Sequence, residues 1–192
     1  MNSQAFSERK RKILEVMKLV EDVSLSLDTI TWLWGGLVVD VIKGKFLREH
    51  DDLDYLTMNL HQLKSQISEK FINCGWSTKN LENGDLKLTK DDVKIHLGHI
   101  ELSDKVNWTH NGEKGSLFFP LSWLPFEVID FYGAKVHVVS PELQYVLKNN
   151  PKLLNPEWES RDKDFFDLET LGQILANRGI EFQSLHEMVT DV

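Results

Sequence analysis

Apolar residues Ile13, Val16, Met17, Leu19, Val20 and Val23 recur at helical spacing, which predicts an amphipathic helix over residues 7–24. Thr29-Ile30-Thr31-Trp32-Leu33-Trp34 is β-branched and aromatic and predicts a strand that stops at Gly35-Gly36. Residues 37–43 read as a short helix with Gly44 placed to end it. Leu53-Asp54-Tyr55-Leu56-Thr57 alternates and predicts a second strand. Asn59 is the expected cap of a helix whose buried stripe is Leu60, Leu63, Ile67, Phe71 and Ile72. From Gly75 to Val139 the period changes to two. A hairpin of residues 86–88 and 93–97 turns near Lys90-Asp91-Asp92, and further β segments fall at 106–108, 117–119, 128–131 and 135–139. Ser140-Pro141-Glu142 starts a helix to about Lys148, and residues 162–175 and 183–189 read as two more. The expectation is an α+β fold: an α+β domain over residues 1–139 with a C-terminal helical region, 140–192, packed on it.

Composition narrows the function classes. The chain has 192 residues, 41% hydrophobic and 27% charged, ordinary proportions for a folded protein. The 22 basic residues against 30 acidic ones give a net charge of −8, which repels phosphate backbones, so no nucleic-acid partner is expected. Cys74 is the only cysteine, which removes intrachain disulfides and cysteine-rich zinc sites and fits a reducing, cytoplasmic setting. The charge-free stretch Thr29–Val39 is 11 residues, too short to span a bilayer, so no membrane partner is expected.

The densest chemical signal lies between residues 35 and 54. A glycine pair follows a strand and precedes a helix, so bare backbone N–H groups can approach an anion at the helix N-terminus. Asp52 and Asp54, two apart on a predicted strand, project from one face. Paired carboxylates suit a hard divalent cation such as magnesium, which often bridges to substrate phosphates. The plain alternative is a solvated acidic loop beside a tight turn. Acids inside a strand that otherwise reads Leu53, Tyr55, Leu56 are costly to explain that way, and the combination points to nucleotide chemistry.

Gly35-Gly36, Asp40, Gly44, Arg48, His50 and Asp52-Leu53-Asp54 resemble the signature of the nucleotidyltransferase superfamily. The resemblance is closest to its aminoglycoside 2″-adenylyltransferase and lincosamide nucleotidyltransferase branch, although Leu37 stands where a tryptophan often follows the glycine pair. Ser140-Pro141-Glu142 and Arg161-Asp162-Lys163-Asp164 with Asp167, Leu168 and Leu171 resemble a second signature, so the likeness runs from about residue 10 to 175. It implies a mixed sheet flanked by helices, with Asp52 and Asp54 at its edge holding Mg2+ or Mn2+. It also implies a nucleoside triphosphate beside Gly35 and Gly36, and a small-molecule acceptor whose hydroxyl attacks the α-phosphorus and releases pyrophosphate. AMP from ATP is the expected group and an antibiotic-like molecule the expected acceptor. Arg48 is placed either on the phosphates or against Asp40, and Lys163 on the phosphates.

One departure bears on activity. The family pattern supplies a third carboxylate from a later strand, and the matching stretch Val93-Lys94-Ile95-His96 puts Lys94 there. A lysine beside Asp52 and Asp54 is expected to ion-pair with them and compete with a metal. Three readings stay open. A neighbouring acid takes the role, with Asp92 the best local substitute ahead of Asp91 or Glu101. Alternatively His96, on the same face, serves as the base. In the third, the fold is a catalytically inactive binding or regulatory module, antitoxin-like. The tryptophans are expected in the core, with Trp108, Trp123 and Trp158 alternatively lining an acceptor cleft.

Overall fold

The structure, a computed structural model, describes residues 6–102, 106–109, 116–153, 157–181 and 190–191. Helix α1 (Glu8–Ser26) starts where the Ser7 hydroxyl accepts from the Lys10 N–H, and it buries the stripe from Ile13 to Val23. Strand β1 (Thr31–Trp34) is buried at all four positions. It runs through Gly35 into α2 (Gly36–Lys43), which ends at Gly44 in the left-handed conformation that favours glycine. Strand β2 (Asp52–Met58) and helix α3 (Leu60–Asn73) follow. Asn59 precedes α3 as expected, but with φ at 58° its side chain makes no capping bond, so it serves as a turn residue.

A run of strands comes next: β3 (Ser77–Asn80), β4 (Leu86–Lys90), β5 (Val93–Leu102), β6 (Val106–Thr109), β7 (Ser116–Phe119), β8 (Ile129–Phe131) and β9 (Ala134–Val138). Strand β3 was not foreseen, because Ser77-Thr78-Lys79-Asn80 is polar and mostly exposed; it pairs only with β4. Helix α4 (Pro141–Asn149) is capped by Ser140, whose hydroxyl accepts from the Leu143 N–H, and α5 (Asp162–Asn177) follows. A short strand β10 (Thr190–Asp191) pairs with β7. The expected helix at 183–189 lies outside the described residues.

The sheet order is β10-β7-β6-β5-β2-β1-β9-β8, with β4 and then β3 attached to the same edge of β5 that β6 uses further along. It is a mixed sheet: β2 lies between antiparallel β1 and parallel β5, and β1 pairs with β9 in parallel. The α+β expectation therefore holds. Because β1 and β2 run in opposite directions, Trp34 at the end of β1 is paired with Asp54 near the start of β2. That antiparallel register brings the glycine turn to the acid pair. Helices α4 and α5 pack on each other, and α5 reaches α2, so the C-terminal helices cover this end of the sheet. Among the described residues no helix is long and apolar enough to cross a membrane.

Candidate active site

A cleft of about 380 Å³ opens where β1, β2 and β5 meet α2, α4 and α5. Every site residue singled out in the sequence except Asp92 lines it: Gly35, Gly36, Arg48, Asp52, Asp54, His96 and Lys163. The two glycines are needed for different reasons. Gly35 has φ of +78°, and a Cβ there would stand 2.6 Å from Asp54 Oδ2. At Gly36 a Cβ would collide with the Arg48 guanidinium and stand 3.3 Å from Asp167 Oδ2. The Gly35 backbone is held by the amide of Gln144 on α4. Its N–H donates to Gln144 Oε1 at 3.0 Å, and Gln144 Nε2 donates to its carbonyl at 2.8 Å.

The loop that delivers β2 is anchored by buried polar contacts. Asp40 Oδ2 accepts from the Leu47 N–H at 2.9 Å and lies 3.0 Å from His50 Nε2, both residues being almost fully buried. Asp40 is thereby occupied, and Arg48 is not its partner. Arg48 pairs instead with Asp167 of α5 at 3.0 Å, and Asp167, with no exposed side-chain surface, also receives Lys148 at 2.9 Å. Of the two expected roles for Arg48, the Asp40 pair is absent. The guanidinium braces the glycine turn from beneath and still borders the cleft.

The cleft is electrostatically divided. Burial and the like charge of Asp52 push the Asp54 carboxyl up to about 6, against the pull of His96, Lys148 and Lys163. Lys148, Arg161 and Lys163 line the same cleft, Lys148 being paired with Asp164 and Asp167. Arg161 bonds Asp164 at 2.9 Å while its guanidinium lies 4.6 Å from the Trp158 ring centre. Strong hydrogen bonding from Arg161, together with Lys148, outweighs burial and holds Asp164 down to about 2. Of the three tryptophans weighed for the cleft, Trp158 lines it and Trp123 is buried elsewhere at 4% exposure; the Trp108 side chain lies outside the described residues.

Lys94 does not behave as expected. It is register-paired with Asp52, yet its side chain is exposed and, among the described residues, makes no ion pair with Asp52 or Asp54. His96, paired with Asp54, is the β5 side chain that faces the acids, with Nδ1 3.9 Å from Asp54 Oδ1. Asp92 does not reach them. Lys90 pairs with Val93, so Asp91-Asp92 forms the two-residue hairpin turn, with φ of Asp91 at 51°. Asp92 there binds Arg9 at 2.6 Å and Lys12 at 3.2 Å on α1.

Among the described residues no three histidine, cysteine, aspartate or glutamate side chains form a ready-made metal cage. The donor set fits a hard cation that keeps water and takes phosphate oxygens: two carboxylates lining one cleft, with Asp54 Oδ2 packed close against the Gly35 backbone.

Sequence reading missed Gln144, Lys148 and Asp85. The first two share one face of α4, four residues apart, and Gln144 interrupts the apolar stripe of Leu143, Val146 and Leu147, a signal that was available. Asp85 sits in an Asn-Gly-Asp turn and reads locally as a turn former.

Residues 13–171 match the family described as aminoglycoside-2″-adenylyltransferase. A lincosamide resistance protein of Staphylococcus haemolyticus is 26% identical over 171 residues, 86% of this chain and 95% of that protein. The crystal structure of the lincosamide antibiotic adenylyltransferase LnuA with lincomycin is 23% identical, with a TM-score of 0.61, covering 81% of this chain and 93% of that one. The structure of ANT(2″)-Ia in complex with adenylyl-2″-tobramycin is 15% identical, with a TM-score of 0.65, covering 91% and 94%.

Proposed function

Since the chain belongs to the aminoglycoside-2″-adenylyltransferase family and is an enzyme of the nucleotidyltransferase type, we propose that it moves AMP from ATP to a hydroxyl group of a small, antibiotic-like acceptor. The observation that carries this reading is a single cleft lined by Asp52, Asp54, the glycine turn and the basic residues Lys148, Arg161 and Lys163.

Asp52 and Asp54 are the residues that would hold Mg2+ or Mn2+. A cation held there would neutralise charge at the α-phosphoryl group and help to orient it for in-line displacement. Gly35 and Gly36 let the phosphate chain come close to the backbone at the start of α2. Lys163, Lys148 and Arg161 offer the positive charge that a triphosphate and a departing pyrophosphate require. His96 Nδ1, at the acid side of the cleft, takes the proton from the acceptor hydroxyl as its oxygen bonds to the α-phosphorus. The acidic surface favours a cationic acceptor. Two structural neighbours hold lincomycin and adenylyl-2″-tobramycin, which makes lincosamides and aminoglycosides the first acceptors to try.

The inactive-module alternative rests on Lys94 standing where a third carboxylate is expected; among the described residues the exposed Lys94 makes no ion pair with Asp52 or Asp54, so it leaves the acid pair open to a metal, and the transfer assay separates the two readings. The test is transfer of labelled AMP from ATP to lincomycin or tobramycin in the presence of Mg2+ or Mn2+, alongside a thermal-shift screen of nucleotides. Absence of both transfer and any metal-dependent nucleotide shift would sink the reading.

A further inference from the structure

Asp85 is a buried carboxylate that the scheme above leaves unused. It precedes β4 and has no exposed surface. Its Oδ1 accepts the His99 backbone N–H at 3.1 Å, and its Oδ2 accepts the Asn83 amide at 2.6 Å and lies 3.0 Å from His96 Nε2. Burial acts to raise its pKa, but the hydrogen bonds from His96, His99 and Asn83 together hold it below the usual carboxylate range. Both oxygens of Asp85 are met by N–H donors, the His99 backbone on Oδ1 and the Asn83 amide on Oδ2, the arrangement of an ionised carboxylate, which can only accept. Whenever the ring is neutral, an accepting Asp85 keeps the shared hydrogen on Nε2 and leaves the lone pair on Nδ1. Nδ1 is the nitrogen turned toward Asp54, at 3.9 Å from its Oδ1.

We propose that Asp85 is the positioning residue of the site: it fixes the His96 tautomer and ring orientation, and the Asp85–His96 pair does the work of the carboxylate missing from position 94. The charge stands one side chain further back, with an imidazole between it and the acceptor. In the transfer, the hydroxyl proton goes to Nδ1, the acceptor oxygen bonds to the α-phosphorus, and the bond to pyrophosphate breaks. The imidazolium that forms has both N–H groups, and the ionised Asp85 stabilises it without taking the proton. This rests on the reading of His96 as proton acceptor. It adds that the residue behind His96 sets which nitrogen reacts.

Two measurements test it. Nitrogen-15 NMR of the folded native protein, with the ring neutral, should show His96 protonated on Nε2, and Asp85→Asn should move the proton to Nδ1. In AMP transfer from ATP with Mg2+ to lincomycin or tobramycin, Asp85→Asn should lower kcat by about 10²–10⁴-fold while KM for ATP changes little. Added to His96→Gln, it should cost nothing further, because both act through one ring. A native ring protonated on Nδ1 overturns the inference without any substitution, so a variant that fails to fold does not shelter it. An Asp85→Asn enzyme with native kcat, or one that adds a full loss on top of His96→Gln, overturns it as well. A native protein that transfers no AMP counts against the nucleotidyl-transfer reading, and the tautomer still decides the role of Asp85.

Discussion

Gln144 and Gly35, 109 positions apart, are joined by two hydrogen bonds of 3.0 and 2.8 Å that copy the pairing of two strands. The glycine turn cannot supply these bonds itself, because its backbone has left β1 and has not yet entered the α2 ladder. A side chain from α4 thus fixes the orientation of the backbone that would meet a phosphate. Gln144 is 1% exposed, whereas Gly35 is half-buried at the cleft.

Removing that amide should be felt twice. Gln144→Ala leaves a buried donor and acceptor unpaired and should cost about 2 kcal/mol of stability, read by urea denaturation. It should also weaken ATP binding, read by calorimetry. Gln144→Glu should restore the bond to the Gly35 N–H but not the one to its carbonyl, and fall between.

Gly36→Ala should destabilise by dislodging Arg48, since its methyl group would occupy the guanidinium's place and strand Asp167 with Lys148 alone. In an Arg48→Ala background the same substitution should cost much less. A double-mutant cycle that finds the two effects additive would contradict this coupling.

Asp54→Asn should abolish Mg2+-dependent nucleotide binding without lowering the melting temperature. The ionised carboxylate is disfavoured in the folded protein, as its rise to about 6 from 3.8 shows, so the neutral amide removes an unfavourable charge at neutral pH. Calorimetry and thermal melts on the same sample check both halves.

Asp164 should make the protein acid-sensitive. Its folded pKa of about 2 lies below the ordinary 3.8, so the folded state favours the ionised form. The stabilisation is complete above 3.8 and is lost as pH falls from there toward about 2. Asp164→Asn should flatten the stability profile across that window, as followed by circular dichroism.

Lys94→Ala should change ATP binding by less than about fivefold, since a solvated lysine without an ion pair contributes no more than ~1 kcal/mol. A large gain in metal affinity would show that the lysine does compete for the acids.

The acid pair and glycine turn were legible because their chemistry is local: a strand stop, a helix start and two carboxylates at strand spacing within twenty residues. The reading failed where partners are set by packing. Arg48 was weighed against Asp40 as its acidic partner and pairs instead with Asp167, from a helix more than a hundred residues on. Asp92 shares a period-two face with Lys94 on paper, but the two-residue turn removes it from the strand and hands it to α1. Asp85 looks like turn chemistry until β4 is laid beside β5 and His96 comes within reach.

The cleft takes its acids from β2 and its cations from α4 and α5, segments widely separated along the chain. During synthesis, β2 is made long before α5, so a nascent chain carries Asp52 and Asp54 without the basic half of the site. Under the proposed function, the nucleotide site would be complete only once α5 docks and Asp167 meets Arg48. A triphosphate bridging the two halves would act as a clasp on that last step, and resistance to proteolysis near α5 should rise when ATP is present.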